Sequence, residues 1–120
     1  MEDNITLEIF DLPFQEAIIG HMLEENWFCS KSITQIKSGW FSDPNLATLF
    51  ASIQDFSQLY RRTPTPKELR DYVRTKFFNN HNILTVKIDQ CIASASHIKR
   101  DYVSKVATGW LRLSKFKNYV

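Results

Sequence analysis

Residues 43–60 read DPNLATLFASIQDFSQLY, and the fold class is decided there. Asp43 can accept from the free amides of a first helical turn, and Pro44 suits the first helical position, where no N–H is needed. Leu46, Leu49, Phe50, Ile53, Phe56 and Tyr60 follow at offsets of three and four, which sets them on one face of a helix. Arg61, Arg62, Thr63 and Pro64 then break it.

Downstream, Thr65-Pro66-Lys67-Glu68 has the form of a capping box: the Thr65 hydroxyl accepts from the third amide and Glu68 reaches back to the Thr65 amide. Leu69, Tyr72, Val73 and Phe77 continue at helical spacing. After the polar turn Asn79-Asn80-His81-Asn82, a fifth stripe holds Ile83, Leu84, Ile88, Cys91, Ile92 and Ala95. Residues 98–119 form a last, basic and aromatic helical segment.

Upstream, Pro13 opens a helix with Phe14, Ala17, Ile18, Met22 and Leu23 on one stripe. A shorter segment, 27–36, carries Phe28, Ile33 and Ile36 and is expected to end at Ser38-Gly39 with a left-handed cap. Nothing alternates with period two long enough to suggest a sheet. The expectation is one all-α domain over residues 1–120, a six-helix bundle. Residues 1–11 are read as a flexible leader, and 97–120 as its hairpin or linker end.

An apolar share of 43 % with nine Phe, three Trp and four Tyr suffices for one core, and a net charge of +2 gives no global field for nucleic acid. Charge is uneven, however. Residues 1–26 hold seven acids and no Lys or Arg, whereas residues 97–120 hold six bases against Asp101. The acidic start is unlike a secretory signal, and no run reaches the roughly 18 apolar residues of a membrane span. The expected location is the cytoplasm. Cys29 and Cys91 stand apart with no neighbouring His pair, so they read as reduced, half-buried packing residues, and no metal is expected.

No GxxxxGK[ST], HExxH or GxSxG occurs, so neither catalytic residues nor a cofactor are expected. His21, His81 and His97 are scattered and read as surface or capping residues. The carboxylates gather in the leader, where no pocket would shift a pKa.

In the last segment Val103, Val106, Trp110 and Leu113 recur with the three-four-three spacing of two helices packed at a shallow angle. Ile88, Ile92 and Ala95 can cover part of that seam. Trp110, Leu113 and Phe116 run past them and need another cover, so self-association is expected there. Gly109 either lets a second backbone come close or is a tolerated helix defect. A different reading takes Tyr102, Trp110, Phe116 and Tyr119 as bases' stacking partners among the Lys and Arg residues, making a nucleic-acid-binding domain.

The stretch Leu12-Pro13-Phe14-Gln15-Glu16-Ala17-Ile18-Ile19-Gly20-His21-Met22-Leu23 resembles the opening of the N-terminal domain of DnaB-type replicative DNA helicases: Leu-Pro, Glu-Ala, an apolar pair, Gly and a Leu-rich turn. Trp40-Phe41 with Asp43, Leu46, Phe50, Ile53 and Tyr60 extends the resemblance. So do Thr63-Pro64-Thr65 with Glu68-Leu69, and the start of the last helix at His97 to Val106. It covers roughly Leu12 to Leu113; Trp27 and Phe28 depart from bacterial members and are closer to phage-borne ones. The family's motor has no counterpart in these 120 residues. The resemblance implies a bundle with a C-terminal helical hairpin through which copies pair into a collar on the helicase hexamer. It also implies docking of primase or a helicase loader, no ATPase activity and weak DNA contact at most. The setting would be bacterial or phage-infected host cytosol. A free-standing replication adaptor or loader is the remaining alternative.

Overall fold

A computed structural model describes residues 11–33, 36, 37, 39, 41–103 and 105, with the backbone alone at 27, 28, 31 and 32. The first helix, α1 (Leu12–Glu24), starts where Asp11 accepts from the Phe14 amide at 3.0 Å, with Pro13 in the first turn. It ends at Glu25, whose amide donates to the His21 carbonyl at 2.8 Å. Every residue from Phe14 to Leu23 is buried. The expected single stripe is therefore too narrow: α1 is covered all round, with Gln15, Glu16 and His21 enclosed along with its apolar residues.

The short α2 (Asn26–Ile33) follows, and Cys29 buries its thiol inward. Its described helix stops before Ile36, and Gly39 has no positive φ, so the expected left-handed cap at Ser38-Gly39 is not formed. The one left-handed non-glycine residue among those described is Arg61, with φ 59°. It closes α3 (Pro44–Tyr60), its amide donating to the Ser57 carbonyl at 2.9 Å. At the other end Asp43 caps α3 as expected, accepting from the Asn45 amide at 2.7 Å. Leu46, Leu49, Phe50 and Ile53 are fully buried and Phe56 nearly so, but Tyr60 is 55 % exposed. It sits at the last helical position and projects beyond the core.

In α4 (Pro66–Lys76) both bonds of the capping box are present: Thr65 Oγ1 accepts from the Glu68 amide at 3.1 Å, and Glu68 accepts from the Thr65 amide at 2.9 Å. Leu69 and Val73 are buried, with Tyr72 and Phe77 packed partly against the same core. The fifth helix, α5 (His81–His97), buries Leu84, Lys87, Ile88, Cys91 and Ala95. Ile83, expected on that stripe, is 58 % exposed. Residues 100–103 are again helical.

The fold is all-α, with five helices, one of them short, and no strand among the described residues. α1 runs through the middle and packs most closely on α5. Gly20 explains how: a Cβ there would fall 2.6 Å from the Ala95 Cβ and into the Cys91 carbonyl oxygen. Only a residue without a side chain lets the two backbones approach so far.

Candidate functional site

The close approach of α1 and α5 encloses a polar node that sequence reasoning missed. Lys87 is the one charged residue on the buried stripe of α5. Its Nζ stands 3.0 Å from Glu16 Oε2 on α1 and 3.0 Å from Asp43 Oδ2 at the start of α3. Ser94 Oγ donates to the second Glu16 oxygen at 2.8 Å. Beside it, Gln15 is 2 % exposed and accepts from the Ser42 amide at 3.0 Å. Three helices thus converge on one ammonium group, and the Asp43 that caps α3 is also its counter-ion.

Electrostatics follow from the enclosure. Burial pushes the Lys87 ammonium toward deprotonation, but hydrogen bonds and charge from Glu16 and Asp43 outweigh it, and its pKa is raised. Burial likewise works against the Asp43 carboxylate, yet Lys87 and the Asn45 and Leu46 amides hold its pKa below the usual value. A lysine kept protonated this way is a poor nucleophile and a poor base. Neither thiol offers more: burial raises the Cys29 pKa, and burial with the nearby Glu16 charge raises that of Cys91 well above the ordinary range. What the node can do is fix geometry, because loss of the Lys87 ammonium would leave two enclosed carboxylates without a counter-ion.

His21 belongs to the same framework and is not on the surface: it is 6 % exposed, and its Nε2 donates to the Ile98 carbonyl at 2.6 Å. Arg100 pairs with Glu25 at 3.2 Å, and the Tyr102 ring meets Phe14 edge-on at 6.1 Å. Together these fasten the chain after α5 back onto α1. His81 Nδ1 donates to the Phe78 carbonyl at 2.9 Å beside the α5 start, and His97 is the exposed last residue of α5.

Of the residues expected to mediate self-association, Val103 is fully buried in the core. Val106, Trp110, Leu113 and Phe116 lie outside the described residues, as do Gly109 and the leader 1–10. Two signals in the sequence pointed to the node: a Lys amid Leu84, Ile88 and Cys91 at helical spacing, and a Glu inside the apolar run of α1. Neither signal names its partner, because Glu16 and Lys87 lie far apart in sequence.

Leu59, Tyr60, Phe78, Ile83, Val86 and Tyr102 are large apolar side chains left more than half exposed. Two adjoining open clefts, of about 400 and 290 Å³, lie between α2 and the end of α3 and share Ile33, Ser57 and Arg61. Among the described residues no group of His, Cys, Asp and Glu could hold a metal ion, and no helix is long and apolar enough to cross a membrane. Compared with protein-family models, curated proteins and solved structures, the chain matches none.

Proposed function

We propose that the chain is a non-catalytic interaction domain of a replicative DNA helicase, mediating dimer or hexamer assembly and the docking of primase or a helicase loader. The observation that carries this reading is the structural use made of the Leu12–Leu23 segment on which the family resemblance rests. Its Leu-Pro follows the Asp11 cap, its Glu16 pairs with Lys87, and its Gly20 sits where α5 comes closest. Those residues build a rigid α1–α5 support, and His21, Glu25 and Phe14 hold the chain leaving α5 against it. A sixth helix forming a C-terminal hairpin would grow from this anchor. Val103 would be its buried root, and Val106, Trp110, Leu113 and Phe116 its contacts with another copy.

A lysine held charged between two carboxylates and two suppressed thiols suit a scaffold better than a reaction centre. Association can be followed by light scattering across a concentration series, with Trp110→Ala as the comparison. Docking can be followed by co-purification with a primase or a helicase loader. The expected result is a concentration-dependent dimer that Trp110→Ala weakens, with a retained primase or loader. Single-stranded DNA should bind only with the weak, salt-sensitive affinity of non-specific contacts. Submicromolar binding to single strands, without a protein partner, would replace this reading with a nucleic-acid-binding one through the basic aromatic segment.

A further inference from the structure

We propose that the paired clefts between α2 and the end of α3 bind a small organic carboxylate, with Arg61 as the group that holds its charge. The site shares no residue with the α1–α5 node or the C-terminal seam, and it does not depend on the helicase reading.

Arg61 stands where a side chain is least expected. Its φ of 59° and ψ of 32° are left-handed, a conformation that glycine adopts without strain and arginine does not. The side chain is not used to hold the fold. Among the described residues Arg62, Arg70, Arg74 and Arg100 each pair with a carboxylate, and Arg61 pairs with none. A guanidinium set on strained backbone and left without a counter-ion is completed by an anion.

The walls supply hydrogen-bonding groups and no competing negative charge. Arg61, Ser57 and Ile33 line both clefts, and no Asp or Glu lines either. Ser57 Oγ is shielded from water and has no regular hydrogen-bond partner among the described residues; the Cys29 thiol beside it is a weak one. On the α2 wall Asn26 is held in one orientation. Its Oδ1 accepts from the Thr63 hydroxyl at 2.6 Å and from the Thr63 amide at 3.4 Å. A backbone N–H can only donate, so the Asn26 oxygen faces Thr63 and Nδ2 is turned away from it. That Nδ2 has no acceptor among the described residues.

Charge selects the ligand. Arg62 also lines one cleft, but both its terminal nitrogens are taken by Glu68. One uncompensated guanidinium remains, which matches the single charge and two-oxygen fork of a carboxylate. A phosphate monoester, with about 1.5 to 2 charges, would be left partly unbalanced. Volumes of about 400 and 290 Å³ suit a small ligand. Gln54, Gln58 and Ser30 offer polar groups to an amide-bearing body, as in an acylated amino acid.

The test is titration of N-acetylglycine into the whole, nitrogen-15-labelled chain. Saturable shifts are expected at the Asn26 side-chain amide and the Arg61 Nε–H. N-acetylglycinamide, which keeps the body and lacks the charge, should bind about tenfold or more weakly. Arg61→Gly should abolish the shifts while the melting temperature holds or rises, since glycine relieves the left-handed backbone. Arg61→Gln should also lose binding, and Ser57→Ala should weaken it several-fold. Acetylated triglycine binding more tightly than N-acetylglycine would identify a peptide end as the source of the carboxylate, and equal binding a free acid; both uphold the site. No saturable shift, shifts that survive Arg61→Gly, or tighter binding of inorganic phosphate would overturn it.

Discussion

The α1–α5 pair and the α3–α4 corner are both helix–helix contacts, but different physics holds them. α1 and α5 meet at glycine distance around Gly20, with an ammonium and two carboxylates enclosed beside the contact. α3 and α4 meet through an ordinary apolar stripe. Their polar contacts stay outside: Arg62 forks onto Glu68, Lys76 reaches Asp55 at 3.1 Å, and Arg62 and Lys76 also cover the Phe56 and Tyr72 rings. Arg62 and the Thr65 amide hold the Glu68 carboxyl down at about 2, yet the group is solvent-exposed, so screening leaves little of that for stability. An enclosed pair is intolerant of losing one member; an exposed pair is replaceable by water. The first contact should therefore respond to charge and size, the second mainly to apolar volume and caps.

The largest effect is expected from apolar volume on α3. Phe50 is fully buried, at the centre of the strongest stripe, with its ring 5.4 Å from that of Phe41. Phe50→Ala should cost about 3–5 kcal/mol in chemical denaturation. A loss below about 1 kcal/mol would mean that α3 does not depend on its apolar face. Next comes Lys87→Met, which keeps the stem volume and removes the ammonium. Glu16 and Asp43 would then face each other without a counter-ion, at a cost of about 2–4 kcal/mol. Should Lys87→Met prove neutral in urea titrations, the enclosed node and the exposed pairs would be energetically alike.

Gly20→Ala probes the other half of the α1–α5 contact. Alanine is the better helix former by about 1 kcal/mol, which alone would stabilise α1. The new methyl would meet the Cys91 carbonyl, a backbone atom that cannot rotate away, so net destabilisation of about 1–3 kcal/mol is expected. A higher melting temperature would show that the helices can slide apart at no cost.

The α3–α4 corner was legible because its signals are local. Asp43-Pro44 and Thr65-Pro66-Lys67-Glu68 satisfy their own amides within one turn, so neighbours in sequence suffice to read them. Where an apolar stripe ends was not legible. Periodicity gives a stripe its direction, whereas its width and length depend on which helices cover it. Tyr60 and Ile83 lie at the ends of α3 and α5, past their cover, while Gln15, Glu16 and His21 on α1 are enclosed by elements distant in sequence. The node was hidden for the same reason. Glu16 and Lys87 are 71 residues apart, and neither carries a mark of the other. The left-handed position was misplaced too, because a glycine suggests such a site and an arginine does not, yet the one described site with positive φ is Arg61.

Thr65→Ala removes the hydroxyl of the capping box and should cost about 0.5–2 kcal/mol, since the Glu68 amide at the exposed helix end turns to water instead. A larger loss would place α4 closer in kind to the α1–α5 node than to a surface helix.

The smallest effect at neutral pH, and the sharpest comparison, comes from Asp43→Asn. Asparagine caps a helix as well as aspartate does, and Glu16 still holds Lys87, so the expected loss at pH 7 is below about 1 kcal/mol. The pH dependence is where the variants should part. The Asp43 pKa is lowered in the folded chain, so near its ordinary titration range the unfolded chain binds a proton that the folded one does not. Its stabilising contribution is fully present above about pH 5, then fades as pH falls through the unfolded value of about 3.9 toward the lower folded one. Wild type should therefore lose stability more steeply than Asp43→Asn between pH 5 and its acid limit, and the difference between them should shrink on the way down. Parallel curves through that window in urea titrations would mean that Asp43 acts only as a helix cap, and the node would reduce to the Glu16–Lys87 pair.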